Sequence, residues 1–206
     1  MATDLLNEIK RIKAIADIGL LYSTDEYDKE RYRELQQISL QLLHQVSNHS
    51  IENLQEAFSL VKEYPTAKVD TRGLVLSTDK KILLVKEQSD RQWSLPGGWA
   101  DIGFSPKENI TKEIKEETGL EVTVKKLLAV FDKRKHLHPA HSFYVYKMVF
   151  YCEAGSSEIF KGFDVLDADY FFIDKLPSLS EERILKSQIE LVYQKVLASD
   201  FETYFD

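Results

Sequence analysis

The stretch from Pro96 to Leu120, PGGWADIGFSPKENITKEIKEETGL, constrains the chain more than any other. It joins a Gly-rich loop to a helix start. Ser105 can accept from the backbone N–H three residues later, Glu108 stands where a capping-box Glu belongs, and Pro106 fits the first helical position. A helix from Pro106 to about Thr118 sets Glu113, Glu116 and Glu117 at i, i+3 and i+4, on one face. Ile110 and Ile114 then lie on a neighbouring face, free to pack on a sheet. Carboxylates this close repel unless a charge offsets them, and a hard cation such as Mg²⁺, which takes oxygen ligands, does so. By itself the helix also fits a solvated acidic surface.

Upstream, residues 1 to about 63 follow a helical period. Leu5, Ile9, Ile12 and Ala16 recur at that spacing, then Tyr32, Leu35, Ile38, Leu42 and Val46. Ile51, Leu54, Phe58 and Val61 mark a third segment, with Ser50 as its N-cap. So small a helical unit is marginal alone and is expected to bury a face against a neighbour. A second copy of the chain is the expected partner, giving a homodimer. The basic cluster Lys10, Arg11 and Lys13 reads as a solvated face. Tyr64-Pro65-Thr66 ends the region. The chain thus divides into a small all-α N-terminal domain, 1–64, and a second domain, 65–206.

From Val69 the pattern turns to short apolar and β-branched runs. Gly73–Leu76 and Ile82–Val85 read as strands around a hairpin turn. Beyond the helix, 122–124 and 126–131 are strand-like, 142–152 is a long strand expected at the sheet centre, and 164–174 runs into another. Residues 180–198 form an amphipathic helix with Leu185, Ile189, Val192 and Val196 on its packing stripe. The segment Asp132–His141 gathers basic residues and histidines. His136 and His138 are poorly spaced for tetrahedral zinc, and no cysteine lies near. The loop is either solvated or a substrate loop in which Arg134, Lys135 or His136 contacts phosphate.

A net charge of −7 speaks against a general nucleic-acid-coating role. Cys152, the one cysteine, lies in an apolar run and reads as an inert buried thiol. No apolar run approaches transmembrane length. The N-terminus lacks a signal-peptide core, so a cytoplasmic protein without a membrane partner is expected.

From Gly98 the sequence resembles the Nudix box: Gly, five residues, Glu, seven residues, then Arg-Glu-apolar-x-Glu-Glu-x-Gly-apolar. Gly98, Glu113, Ile114, Glu116, Glu117, Gly119 and Leu120 match at the same spacing. Phe104 replaces the first Glu and Lys112 the Arg. Those two side chains usually pair in the family, so their joint loss reads as a dispensed ion pair, and Lys is no bidentate equal of Arg. PTAKVDTRGLVL and KILLVKE…WSLPGGW resemble a subgroup with an N-terminal helical domain that includes CDP-choline pyrophosphatases.

The resemblance implies an α+β fold, a Nudix-type mixed β-sheet sandwiched between helices and preceded by the all-α domain. It implies Mg²⁺ or Mn²⁺ held by Glu113, Glu116 and Glu117, with the Gly97 carbonyl as a further ligand. Those glutamates would be catalytic, with an outlying carboxylate drawn from Asp164, Asp167 or Glu158, Asp164 foremost. The implied reaction cleaves the diphosphate of a nucleoside diphosphate linked to another moiety. CDP-choline, giving CMP and phosphocholine, is the favoured substrate, and ADP-ribose, other conjugates and RNA ends are alternatives. A non-catalytic nucleotide-binding module is the rival of a different class, and the intact glutamates argue against it. Trp99 and Phe104 are candidates to meet a quaternary ammonium, and Arg134, Lys135 and His136 complete the candidate substrate contacts.

Overall fold

The computed structural model describes residues 2–47, 50–58 and 64–206. The chain forms two compact units, Met1–Ala67 with Ala140–Tyr144, and Lys68–Pro139 with Val145–Asp206.

The first unit holds α1 (Ala2–Tyr22), α2 (Glu26–Val46) and α3 (Ile51–Ala57). Asp25 caps α2 by accepting from the Asp28 N–H. Leu6, Ile9, Leu43 and Leu54 form its core. The expected stripes are only partly inward. Ile9 and Ala16 are buried, whereas Leu5 and Ile12 are exposed, and α2 buries Ser39 and Leu43 while exposing Leu35 and Ile38. Apolar residues ring more of each helix than its packed face, so periodicity alone did not select the buried side. Val61 falls outside the described residues.

Lys10 and Lys13 correct the solvated-face reading, since both are buried. The Lys10 ammonium donates to the His141 carbonyl at 3.0 Å, and Lys13 pairs with Asp17 at 2.7 Å. Carbonyl and carboxylate acceptors offset the cost of burying these charges; Asp17, four residues after Lys13, was a readable local partner, whereas nothing local reveals the carbonyl that receives Lys10.

In the second unit a five-stranded sheet runs β4-β1-β6-β5-β8 and a three-stranded sheet runs β3-β2-β7. These strands are β1 (Lys68–Val75), β2 (Ile82–Glu87), β3 (Trp93–Ser94), β4 (Gly97–Trp99), β5 (Val122–Asp132), β6 (Val145–Ala154), β7 (Val165–Phe171) and β8 (Tyr204–Phe205). β6 is central, parallel to β1 and antiparallel to β5. The expected long strand therefore exists but starts at Val145, and Ser142 to Tyr144 group with the helical unit.

Neighbouring residues on a strand enter different cores. Leu74, Leu84 and Val149 pack with Ile189 and Val192, while Val75, Leu83 and Phe150 pack with Ile110 and Ile114. Burial on both faces explains why the 73–75 end of β1 and the 82–85 start of β2 read as unbroken apolar runs. α4 (Pro106–Thr118) covers one side, and α5 (Lys186–Leu197) packs into the other core. α5 starts later than Ser180, whose N–H is already bonded to the Trp93 carbonyl. Cys152 is buried, and burial pushes its thiol up to about 12. The architecture is the α+β arrangement expected from the sequence.

Candidate active site

α4 begins as its sequence dictates. Ser105 accepts from the Glu108 N–H, the Glu108 carboxylate accepts from the Ser105 N–H, and Pro106 opens the helix. One turn in, Asn109 is fully buried. Its amide donates to Thr71 Oγ1 at 2.8 Å and to the Trp99 carbonyl at 3.2 Å, and its Oδ1 accepts from the Asp101 N–H at 3.0 Å. Asn109 thereby ties the loop before α4 to β1. Sequence reasoning passed over it because a single amide on a polar helix carries no periodic signal.

Gly97 has φ +136°, and a Cβ there would lie 2.1 Å from the Thr71 carbonyl oxygen, so only glycine fits. The Gly97 N–H donates to Glu117 Oε2 at 2.8 Å. The Glu113 carboxylate lies against Gly98, where a Cβ would stand 3.1 Å from Oε2. Two of the expected carboxylates therefore converge on the Gly-rich loop. Burial pushes Glu117 up to about 8, opposed by Arg72 and the Gly97 hydrogen bond. Burial also raises Glu113, helped by Glu116 and opposed chiefly by Lys112.

Glu116 is differently placed, with Oε2 3.1 Å from Lys112 Nζ. Among the described residues no three His, Cys, Asp or Glu side chains form a ready-made cation cluster. The donor chemistry nonetheless fits a hard divalent ion, since buried carboxylate oxygens beside a glycine backbone are the ligands such ions take. Glu116 is partly exposed and held by Lys112.

The expectation of a dispensed ion pair needs correction. Lys112 donates to Asp101 Oδ2 at 3.0 Å, and its ammonium lies 5.9 Å from the Phe104 ring centroid. Lys112 thus has a carboxylate partner, supplied by Asp101 and not by position 104. The chain folds back on itself there, and sequence spacing does not report that.

A buried ionic chain beneath the loop was also not foreseen. Arg72 sits opposite Gly97 in the β1–β4 register. It donates to Asp70 at 3.0 Å and to the Leu95 carbonyl at 3.0 Å, and lies 3.5 Å from Glu87. Asp70 also pairs with the buried Lys147, and Glu87 pairs with Arg183 at 3.0 Å. Opposite charges two apart at 70 and 72 were the available signal, but they precede the 73–76 run that marks the strand in the sequence.

The remaining expected residues lie outside this convergence. Asp164 is exposed just before β7, with no hydrogen bond or ion pair among the described residues, and Glu158 and Asp167 are exposed as well. Trp99 is half exposed with Lys68 over its ring at 5.6 Å, and Phe104 is equally open. Arg134 clamps Asp132, His136 approaches Asp206 at 3.0 Å, and Lys135 is exposed.

Comparison with known proteins places this geometry. Residues 67–188 match the NUDIX domain. The chain belongs to the Nudix family. As a Nudix hydrolase it carries a second match over residues 3–58, to a UDP-X-like, N-terminal oligomerisation domain. It is 41% identical to YjhB of Bacillus subtilis, across 99% of this chain and 98% of that protein. A crystal structure described as UDP-X diphosphatase is 37% identical, with TM-score 0.63, covering 100% of this chain and 99% of that one. An ADP-ribose pyrophosphatase from Streptococcus suis is also 37% identical, with TM-score 0.62, over 68% of this Nudix chain and 100% of that one.

Proposed function

We propose that the chain hydrolyses the diphosphate bond of a nucleoside diphosphate linked to a second moiety, releasing a nucleoside monophosphate and the phosphorylated partner. The observation that carries this reading is the Gly97 N–H bonded to Glu117 with Glu113 against Gly98, two carboxylates gathered on one loop. Glu113, Glu116, Glu117 and the Gly97 carbonyl would hold Mg²⁺ or Mn²⁺. Such an ion, when bound, offsets phosphate charge and lowers the pKa of its water.

The protein's own groups do the rest. Gly97 fixes the orientation of Glu117. Glu113, half-buried and with burial raising it from its usual value, suits acceptance of a proton from the attacking water. Asp164, exposed just before β7, is the proposed outlying acid. Relatives bear names for ADP-ribose and UDP-X, and the exposed Trp99 and Phe104 keep CDP-choline in the candidate set through contact with its quaternary ammonium.

The helical unit is read as a homodimerisation module. Its α1 leaves Leu5, Ile12, Ile15 and Tyr22 exposed, and residues 3–58 match a domain described for oligomerisation.

The test is hydrolysis of CDP-choline, ADP-ribose and UDP-glucose by purified protein, with Mg²⁺ and with chelator. Metal-dependent release of a nucleoside monophosphate from at least one is expected. Metal-independent turnover, or none on any of them, overturns the reading.

A further inference from the structure

The loop before α4 is pinned from below yet shows apolar side chains to solvent. Trp99, Ile102 and Phe104 are all exposed on it. It adjoins the carboxylate site, because the Glu113 carboxylate lies against Gly98, the residue before Trp99. The pin is Asn109. Its amide oxygen accepts from the Asp101 N–H at 3.0 Å, and its amide nitrogen donates to the Trp99 carbonyl at 3.2 Å, so one side chain brackets Ala100. The other amide proton goes to Thr71 Oγ1 at 2.8 Å, which anchors the bracket to β1. Both amide protons and the oxygen are thereby used. Burying an amide costs free energy unless it is hydrogen-bonded, and an apolar side chain would fill a helix–sheet contact without that cost. What the amide adds is a fixed place for the Trp99 backbone. From outside, the Lys68 ammonium lies 5.6 Å from the centre of the Trp99 ring and steadies the indole.

We propose that Asn109 is a positioning residue for substrate binding: it holds Trp99 as a platform for a substrate group that binds an aromatic face. The proposal rests on the nucleotide-hydrolase reading above and deepens it. Asn109 is fully buried, so it acts through the Trp99 carbonyl and not by meeting a ligand. Fixing the indole before the ligand arrives removes the ordering cost that a mobile side chain pays on binding. A nucleoside diphosphate conjugate carries a fitting group in its nucleobase, which stacks on aromatic rings. A choline conjugate carries another in its quaternary ammonium.

Calorimetric binding of AMP, CMP, UMP and phosphocholine, without added metal, tests this on the full chain and on Trp99→Leu, Asn109→Ala and Thr71→Val. The parent should bind at least one of the four, and both Trp99→Leu and Asn109→Ala should weaken that binding about threefold to tenfold. Trp99→Leu alters a half-exposed side chain, so it keeps the proposal falsifiable even where the buried amide is needed for folding. Thr71→Val spares both loop bonds of Asn109. It should lower the melting temperature and leave ligand affinity within about twofold. In a Trp93→Phe background Trp99 is the one tryptophan, and Asn109→Ala should raise its quenching by acrylamide. A nucleotide weakened by the variants assigns the platform to the base, and phosphocholine weakened by them assigns it to the second moiety. Parental affinity in Trp99→Leu overturns the proposal. So do equal weakening by Asn109→Ala and Thr71→Val, unchanged quenching, or a parent that binds none of the four. Failure of the function reading is separate: it shows as absent hydrolysis while ligand binding still depends on Trp99 and Asn109.

Discussion

Lys112 and Asp101 form an ion pair of 3.0 Å that closes the loop before α4 onto the helix, and the same ammonium lies 3.1 Å from Glu116. Lys112 therefore holds one candidate metal ligand. Both contacts are partly exposed, where ion pairs contribute about 0.2–1 kcal/mol. Lys112→Met should shift urea stability by no more than that. By freeing Glu116 it should tighten Mn²⁺ binding, followed by electron paramagnetic resonance, about twofold to threefold. Weaker Mn²⁺ binding would show that Lys112 supports the ion instead.

Glu113→Gln and Glu117→Gln keep side-chain size and remove the ionisable carboxylate. Each should lower kcat about 10²- to 10⁴-fold while circular dichroism stays unchanged. A loss under threefold in both would mean that these carboxylates serve packing and not catalysis.

Asp70 accepts from both Arg72 and Lys147 inside the protein. Asp70→Ala strands two buried cations and should cost about 3–5 kcal/mol in denaturant unfolding. A cost below about 1 kcal/mol would mean water reaches the pair.

Burial brings Lys147 down to about 8 from its usual 10.5. Between those values the unfolded chain holds a proton that the folded chain has released. Stability from this group is therefore complete above pH 10.5 and is lost as pH falls through 8. The stability of the parent relative to Lys147→Met should rise with pH across that window. A flat difference would show that Asp70 keeps the lysine charged throughout.

Gly162 donates its N–H to the Glu117 carbonyl at 2.9 Å, and a Cβ there would meet the Glu116 carbonyl oxygen at 1.9 Å. Gly162→Ala must push the loop off α4. It should cost about 1–3 kcal/mol, as overpacking does, and lower kcat through the displaced glutamates. An unchanged melting temperature would refute the contact.

The exposed α1 stripe gives a test of assembly. Ile12→Glu should convert the expected homodimer to monomer in sedimentation velocity with little loss of secondary structure.

What the sequence determined by itself is local. The capping box at Ser105 and Glu108, the run of α4 and the sharing of a face by its glutamates follow from short-range hydrogen bonding and a fixed helical period. The Nudix spacing was legible for the same reason. Tertiary structure decided the rest. Lys10 became buried because carbonyls at 141 and 143 accept its protons, and Asp101 replaced the missing carboxylate because the loop folds back toward Lys112. Arg72, Asp70 and Lys147 met because β1 and β6 pair in one particular register. Lys10 and the carbonyls that receive it, and Asp70 and Lys147, are far apart along the chain. Burial energies and opposing charges select them only after folding, so no local pattern could name them.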